Sequence, residues 1–200
     1  MTEIILSAST GSVTIDDMLR GVVGIFEMVF AKRIRSYYVE GSYADGTAVT
    51  ASDLDLTVVF KDRFRDDIER DTAVQLAGYC AGLSGVELDI ELADDGQLAE
   101  GVYPSLKMGS RCMYGEDRRD QLRLLSLDEW TRERMHAAYW LLVTVFHRPR
   151  PVTYPLTYPD PVGRFYGYDH RMMRLATGAA VNSTRDLIRV TGWIATALLA

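Results

Sequence analysis

The 200-residue chain has an ordinary globular composition, 48% hydrophobic and 25% charged, and its formal net charge is −6. This acidic balance argues against a protein whose main partner is the phosphate backbone of nucleic acid, although it leaves room for a small anionic substrate carried by metal ions. No apolar run reaches the roughly 20 residues needed to cross a bilayer, and no basic segment followed by an apolar core marks a signal peptide. We therefore expect a cytoplasmic protein without membrane association.

The first half of the chain alternates between helix and strand patterns. Hydrophobic residues recur at helical spacing from Ile15 to Phe30, with Thr14 as the expected N-cap. The segments "IRSYYVE" and "SDLDLTVVF" predict strands, and "FRDDIERDTAVQLAGYCAGLS" predicts a helix. In "GVELDIELAD" apolar and acidic residues alternate strictly, which is typical of a half-buried strand. The order α, β, β, α, β predicts an α/β or α+β domain with a mixed sheet.

The second half of the chain is predicted to be mainly helical. The stretch "DDGQLAEGVYPSLKMGSRCMYGEDRRD" has no clear period and is expected to be rich in loops. Beyond it, Ser126 and Glu129 form a capping-box pattern ahead of a helical segment, and the residues after the Pro-rich stretch predict one or two further helices. We therefore expect residues 1–122 to form one domain and residues 123–200 to form a helical domain.

Three further features of the chain leave their interpretation open. The apolar end "GWIATALLA" would be covered by a protein partner, a second copy or another part of the fold, unless the chain stops within a helix. The isolated Cys80 and Cys112 predict two reduced, buried thiols and neither a zinc site nor a disulfide. An aromatic-rich stretch would either stack on adenine or a sugar-like acceptor, or pack on the helices. Its aromatic residues are Tyr154, Tyr158, Phe165, Tyr166 and Tyr168.

Two aspartates, Asp53 and Asp55, stand at the start of a strand that is otherwise apolar. Because residues i and i+2 of a strand leave the same face, their carboxylates are expected side by side. Such charges repel unless a cation lies between them, and Mg²⁺ binds one or two carboxylates together with water and phosphate oxygens. The pair favours a phosphoryl- or nucleotidyl-transfer centre, and the alternative is a solvated turn.

The Gly41-Ser42 pair lies at the end of the preceding predicted strand. Glycine at such a position lets the backbone approach a ligand closely, and Ser42 can offer a hydroxyl and an N–H to phosphate oxygens. Lys107 and Arg111 are candidate ligands of a triphosphate, with solvated loop cations as the alternative.

The whole segment "GSYADGTAVTASDLDLTVV" resembles the signature of the polymerase-β-like nucleotidyltransferase superfamily, in which Gly-Ser is followed by Asp-x-Asp on a strand. Within it, the chain looks most like the small bacterial nucleotidyltransferases that include the aminoglycoside adenylyltransferases, which add a C-terminal helical domain. The resemblance implies that Gly41 and Ser42 hold a nucleoside triphosphate and that Asp53 and Asp55 bind two Mg²⁺ ions.

The resemblance also implies a third acid on a later strand, which binds metal and activates the acceptor hydroxyl. Glu87, Asp89 and Glu91 share one face of their predicted strand, so one of them is expected beside the aspartate pair. Asp89, in the middle, is our preferred candidate, and Glu87 is its main competitor.

The reaction implied by the resemblance is transfer of a nucleoside monophosphate, most often AMP from ATP, to a hydroxyl of a small acceptor, with release of pyrophosphate. We expect the acceptor between the two domains, and the acidic charge suits a cationic acceptor such as an aminoglycoside, hence a role in antibiotic resistance. Two alternatives stay open: a protein-directed nucleotidyltransferase of the toxin–antitoxin type, and a non-catalytic relative that binds a nucleotide or a partner.

Overall fold

The computed structural model describes residues 3–50, 52–144, 173–174, 179–181 and 185–199. Contacts divide the chain into two compact units, and the boundary between the large first unit and the second lies between Leu125 and Ser126. The assignment of residues 1–122 to a catalytic domain and 123–200 to a helical domain stays a prediction. The five aromatic residues from Tyr154 to Tyr168 lie outside the described ranges.

A four-stranded mixed sheet forms the centre of the first unit. Its strands are β1 (Ile34–Glu40), β2 (Leu54–Phe60), β3 (Leu88–Asp94) and β4 (Arg111–Gly115), in the spatial order β3-β2-β1-β4. Strand β1 is antiparallel to β2 and β4, whereas β3 is parallel to β2. The predicted α+β domain with a mixed sheet is therefore confirmed.

The described part of the first unit also contains five helices and one 3-10 turn. The described part of the second unit consists of two helices and a short antiparallel ladder. The first unit contains α1 (Val13–Val29), α2 (Ser42–Asp45), α3 (Asp67–Leu83), α4 (Asp95–Glu100), α5 (Pro104–Gly109) and the 3-10 turn Arg119–Gln121. The second contains α6 (Leu127–Thr144), β5 (Met173–Arg174), β6 (Ala180–Val181) and α7 (Arg185–Leu199). None of the helices in these ranges combines the length and the apolarity needed to span a bilayer.

The sheet has a core face that packs against α1 and α3. Strand β2 supplies Leu54, Leu56, Val58 and Phe60 to this face, each at most 1% exposed, and they form one apolar cluster with the inward side of both helices. Burial of each such side chain contributes about 1.5–3 kcal/mol. Because side chains alternate along a strand, this apolar register sends Asp55 to the opposite face.

The opposite face, which we call the α4–α5 face, is apolar over only part of its area. Tyr38, Val59 and Cys112 pack there against Leu98 of α4 and Leu106 of α5. The rest of the face carries Asp55 and Thr57 of β2 and their register partners Asp89 and Glu91 of β3. Burial of the apolar part holds α4 and α5 against the sheet, so the polar part of the face lies next to these two packed helices.

Two of the sequence-based predictions are wrong in detail. Helix α1 has Ser12 as its N-cap, so Thr14 lies inside the helix. The stretch expected to be loops contains α4, α5 and β4. Helix α4 begins with a capping box between Asp94 and Gln97, and α5 begins with Pro104. Six-residue helices are too short to show a helical period, which is why the pattern looked irregular.

Other local predictions are confirmed. The Glu129 N–H donates to the Ser126 hydroxyl oxygen at 3.2 Å and the Ser126 N–H donates to the Glu129 carboxylate at 2.8 Å, so this capping box forms as expected. Both Cys80 and Cys112 are free thiols and buried. Within the second unit, Val190 of α7 packs with two buried residues of α6.

Candidate active site

A tight turn joins the end of β1 to α2. Gly41 has φ 64° and ψ −148°, a conformation that residues with a side chain rarely adopt. The Ser42 carbonyl then accepts the backbone N–H groups of Gly46, Thr47 and Ala48 at 3.0–3.1 Å. The Gly41-Ser42 pair is therefore held in a compact turn at one end of the sheet.

Asp45 has a structural role in this turn. The Thr47 hydroxyl donates to its carboxylate at 2.6 Å and the Thr47 N–H donates at 2.9 Å. These hydrogen bonds keep the pKa of Asp45 below its ordinary value. Asp45 thus closes the loop that carries Ser42.

Gly41 lies directly against the carboxylate of Asp55. A Cβ atom at position 41 would be 2.9 Å from Asp55 Oδ2, closer than real Cβ contacts come. The pairing of β1 with β2 explains this proximity, since Glu40 is the register partner of Asp55. A residue with a side chain at position 41 would have to displace Asp55, so this glycine and this aspartate are sterically coupled.

Asp89 lies beside Asp55 on the neighbouring strand. The parallel register of β2 and β3 makes them partners, so both side chains leave the α4–α5 face from strands about 4.8 Å apart. Asp53 precedes the first residue of β2. Of the three predicted candidates for the third acid, Asp89 is the one at the level of Asp55.

The other two candidates occupy the levels on either side of Asp89. Glu87 precedes β3, and its carbonyl accepts the N–H of Leu54 at 2.8 Å. Glu91 is the register partner of Thr57. Glu87, Asp89 and Glu91 therefore lie one after another along the side of the segment from Asp53 to Thr57, two residues apart, as their alternation in the sequence predicts.

Asp55 and Asp89 are the two register-paired acids of this site. Across the described residues, no group of three or more His, Cys, Asp and Glu side chains is arranged to hold a metal ion. Asp55 is half-buried and Asp89 is exposed, so both can be reached from solvent. Two accessible carboxylates still match the usual protein contribution to a Mg²⁺ site, which water and phosphate oxygens complete.

The two predicted triphosphate-binding cations lie in different places. Arg111 donates to the Ala44 carbonyl of α2 at 2.5 Å and to the Ser9 carbonyl at 2.7 Å, which brings its guanidinium to the Gly41-Ser42 turn. The Lys107 ammonium donates to the carbonyl of Leu122, in the segment after β4.

Sequence reasoning missed a carboxylate–hydroxyl pair beside the aspartates. The Thr57 hydroxyl donates to Glu40 Oε1 at 2.7 Å. Thr57 follows Asp55 by two residues, so the period of the strand places both on one face. Glu40 directly precedes Gly41, but its proximity to Thr57 depends on how β1 pairs with β2.

Solved structures that are similar to this chain include an adenyltransferase and toxin–antitoxin complexes. The spectinomycin adenyltransferase AAD(9) from Enterococcus faecialis, solved with ATP and spectinomycin, is 15% identical with a TM-score of 0.50, and the match covers 64% of this chain and 67% of that one. A toxin–antitoxin complex solved with AMP-PNP is 20% identical with a TM-score of 0.35, covering 62% and 90%. A tri-AMPylated HEPN toxin of Shewanella oneidensis with the MNT antitoxin is 17% identical with a TM-score of 0.32, covering 63% and 92%.

The sequence itself matches a protein family. No curated protein matches this chain. The family model described as a nucleotidyltransferase domain matches residues 25–99, a range that includes Gly41, Asp55 and Asp89. The match therefore assigns residues 25–99, and not the whole chain, to a nucleotidyltransferase domain.

Proposed function

We propose that this protein transfers AMP from ATP to a hydroxyl group of a small, cationic acceptor and releases pyrophosphate. One observation carries the proposal: the fold brings Gly41, Asp55 and Asp89 together at one end of the sheet. Gly41 contacts Asp55, and Asp89 is the register partner of Asp55. This is an arrangement in which a backbone turn can approach phosphates while two carboxylates face the reacting groups.

The acids at this edge would hold the metal that such a transfer needs. Asp53, Asp55 and Asp89 are the proposed ligands of two Mg²⁺ ions, and the donor set fits because hard cations prefer carboxylate oxygens and accept as few as one or two. When bound, the ions neutralise the charge that develops on the phosphate oxygens. The Asp55 carboxylate lies beside Gly41, where the turn can approach the same phosphates.

The remaining groups of the site have separable roles in this proposal. Gly41 and Ser42 bind phosphate oxygens, and the Arg111 guanidinium holds the turn that carries them. Asp89 takes the proton from the acceptor hydroxyl, whose oxygen forms a bond to the α-phosphorus as the bond to pyrophosphate breaks. Glu87 is the competing base, and Lys107 is a further candidate for the triphosphate.

The charge around the site supports a cationic acceptor. Glu40, Asp55, Asp89 and Glu91 project from one face of the sheet, so the field there attracts cations. An amine-bearing polyol such as an aminoglycoside fits this field, and its modification in the cytoplasm would confer antibiotic resistance. The apolar end of the chain is proposed to meet a second copy or a protein partner.

The first experiment measures ATP binding by calorimetry with and without Mg²⁺. We expect the wild type to bind ATP only with Mg²⁺ and the variant Asp53→Asn/Asp55→Asn to lose at least about tenfold in affinity, or 1.4 kcal/mol. Asp71→Asn, an exposed position on α3, is the control for general loss of negative charge. Equal binding by all three proteins would contradict the metal site.

Product analysis then separates the possible reactions. Release of pyrophosphate with spectinomycin or with an aminoglycoside supports the small-molecule acceptor. AMP found by mass spectrometry on a Tyr or Ser side chain of a co-purified protein would instead indicate the toxin–antitoxin type of reaction. Mg²⁺-dependent ATP binding without any product would indicate a non-catalytic relative.

A further inference from the structure

A cavity of about 200 Å³ opens on the α4–α5 face between the sheet and the two short helices. Its sheet wall carries Glu40, Thr57 and Glu91, and the opposite wall includes Leu98 of α4 and Leu106 of α5. One side of the cavity is thus acidic and the other apolar. It lies entirely within the first unit.

The carboxylate of Glu40 is oriented by a buried donor. Thr57 is 3% exposed, and its hydroxyl donates to Glu40 Oε1 at 2.7 Å. A buried hydroxyl needs a hydrogen-bond partner, so Thr57 holds Glu40 in one place on the cavity wall. A carboxylate that is already ordered loses little conformational entropy when it binds a cation.

The cavity lies at a useful distance from the aspartates. Thr57 and Glu91 are register partners, and they follow the partners Asp55 and Asp89 by two residues on each strand. At about 3.3 Å per residue, Thr57 and Glu91 lie about 7 Å along the sheet from the aspartates, whereas Glu40 is the register partner of Asp55 and its Cα lies about 5 Å away across the strands. A single small ring can reach from one to the other.

We propose that this cavity binds the amine-bearing ring of the acceptor, with Glu40 as a specificity-determining residue that receives an ammonium group. Glu91 lies across the same wall and supplies a second negative charge. The apolar faces of a cyclitol or sugar ring pack on the side of Leu98 and Leu106. The acceptor hydroxyl then projects toward Asp55 and Asp89, which names the acceptor subsite of the proposed transfer and rests on that proposal.

The test uses a fragment that needs neither ATP nor Mg²⁺. Binding of 2-deoxystreptamine, a cyclitol with two amino groups, is titrated against the full chain by ligand-observed NMR at neutral pH, and myo-inositol is the uncharged comparison. We expect Glu40→Gln, which keeps the shape and the Thr57 hydrogen bond, to weaken 2-deoxystreptamine binding at least about tenfold. Glu3→Gln removes the same charge at an exposed position of the same unit and should change affinity less than about twofold.

A second variant keeps the test decisive if Glu40→Gln is unstable. Ser105 is exposed on α5 and lines the cavity, so Ser105→Arg places a competing cation there and leaves Glu40 and Thr57 unsubstituted. We expect it to abolish 2-deoxystreptamine binding with an unchanged Tm.

Three results would overturn the assignment of the cavity to an amine. They are equal 2-deoxystreptamine affinity in Glu40→Gln and Glu3→Gln, equal binding of myo-inositol and 2-deoxystreptamine, and displacement of 2-deoxystreptamine by adenosine, which would assign the cavity to the nucleoside. Failure of the proposed AMP transfer would give a different result. In that case the wild-type protein would bind 2-deoxystreptamine but would not bind Mg²⁺-ATP.

Discussion

The contact between Gly41 and Asp55 makes Gly41→Ala a sharp test of the site. The backbone at Gly41, with φ 64° and ψ −148°, lies close to a region that is essentially restricted to glycine, and an alanine there costs about 1–3 kcal/mol. Its Cβ would also lie 2.9 Å from Asp55 Oδ2, so the carboxylate has to move by several tenths of an ångström. We expect lower stability and, because Asp55 is displaced, at least about a tenfold loss of Mg²⁺-ATP affinity, or 1.4 kcal/mol.

Gly46→Ala is the matched control for backbone strain. Gly46 has φ 81° in the same turn, but a Cβ there meets nothing within 4 Å. The left-handed conformation costs alanine about 1–2 kcal/mol, which corresponds to a drop in Tm of about 4 °C per kcal/mol. Both variants should therefore lose stability, and only Gly41→Ala should lose nucleotide affinity.

Thermal unfolding and calorimetry with Mg²⁺-ATP measure the two effects separately. An equal loss of affinity in both variants would show that strain in the turn, and not displacement of Asp55, is responsible. Wild-type affinity in Gly41→Ala, combined with the expected loss of stability, would show that the position of Asp55 does not matter for the nucleotide.

Two further predictions concern stability and thiol chemistry. Hydrogen bonds from the Arg33 guanidinium lower the pKa of Glu69, so the stability that this pair contributes should be present above the unfolded carboxyl pKa near about 4.3 and be lost as the pH falls through the lower folded pKa. In urea unfolding, Glu69→Gln should thus cost about 1–3 kcal/mol at pH 7 and clearly less at pH 3, and a cost independent of pH would contradict this linkage. Burial raises the pKa of Cys112 to about 11 and also raises the pKa of Cys80. A disulfide reagent at pH 8 should therefore label both thiols rapidly only in denaturant. Rapid labelling of the native protein would contradict their burial.

The strands were predictable where their signal is local. "IRSYYVE" coincides with β1, and the alternation in "GVELDIELAD" correctly places Asp89 and Glu91 on one face of β3. The parallel pairing of β3 with β2 could not be predicted in this way, because register depends on contacts between distant parts of the chain. The level of Asp89 beside Asp55 is a consequence of that register.

The parts that the sequence concealed are short or composite. Helix α4 is six residues long, and its only clear marker is the Asp94-to-Gln97 capping pattern. The pairing of Thr57 with Glu40 combines one residue from each of two antiparallel strands, and either residue alone looks ordinary. The cavity is lined by α4, by α5 and by the strands that carry Glu40 and Thr57, so no continuous stretch of the sequence predicts it.

The alternation of acids along β3 has a consequence for how this site tolerates change. A slip of one residue between β2 and β3 would turn the acids into the core, whereas a slip of two residues would keep every face and bring Glu87 or Glu91 level with Asp55. The chain thus has a further carboxylate two residues before Asp89 and another two residues after it, and either could take the place of Asp89 after such a slip. Hydrogen bonding between the two backbones, rather than the chemical identity of any one acid, selects the carboxylate that faces Asp55.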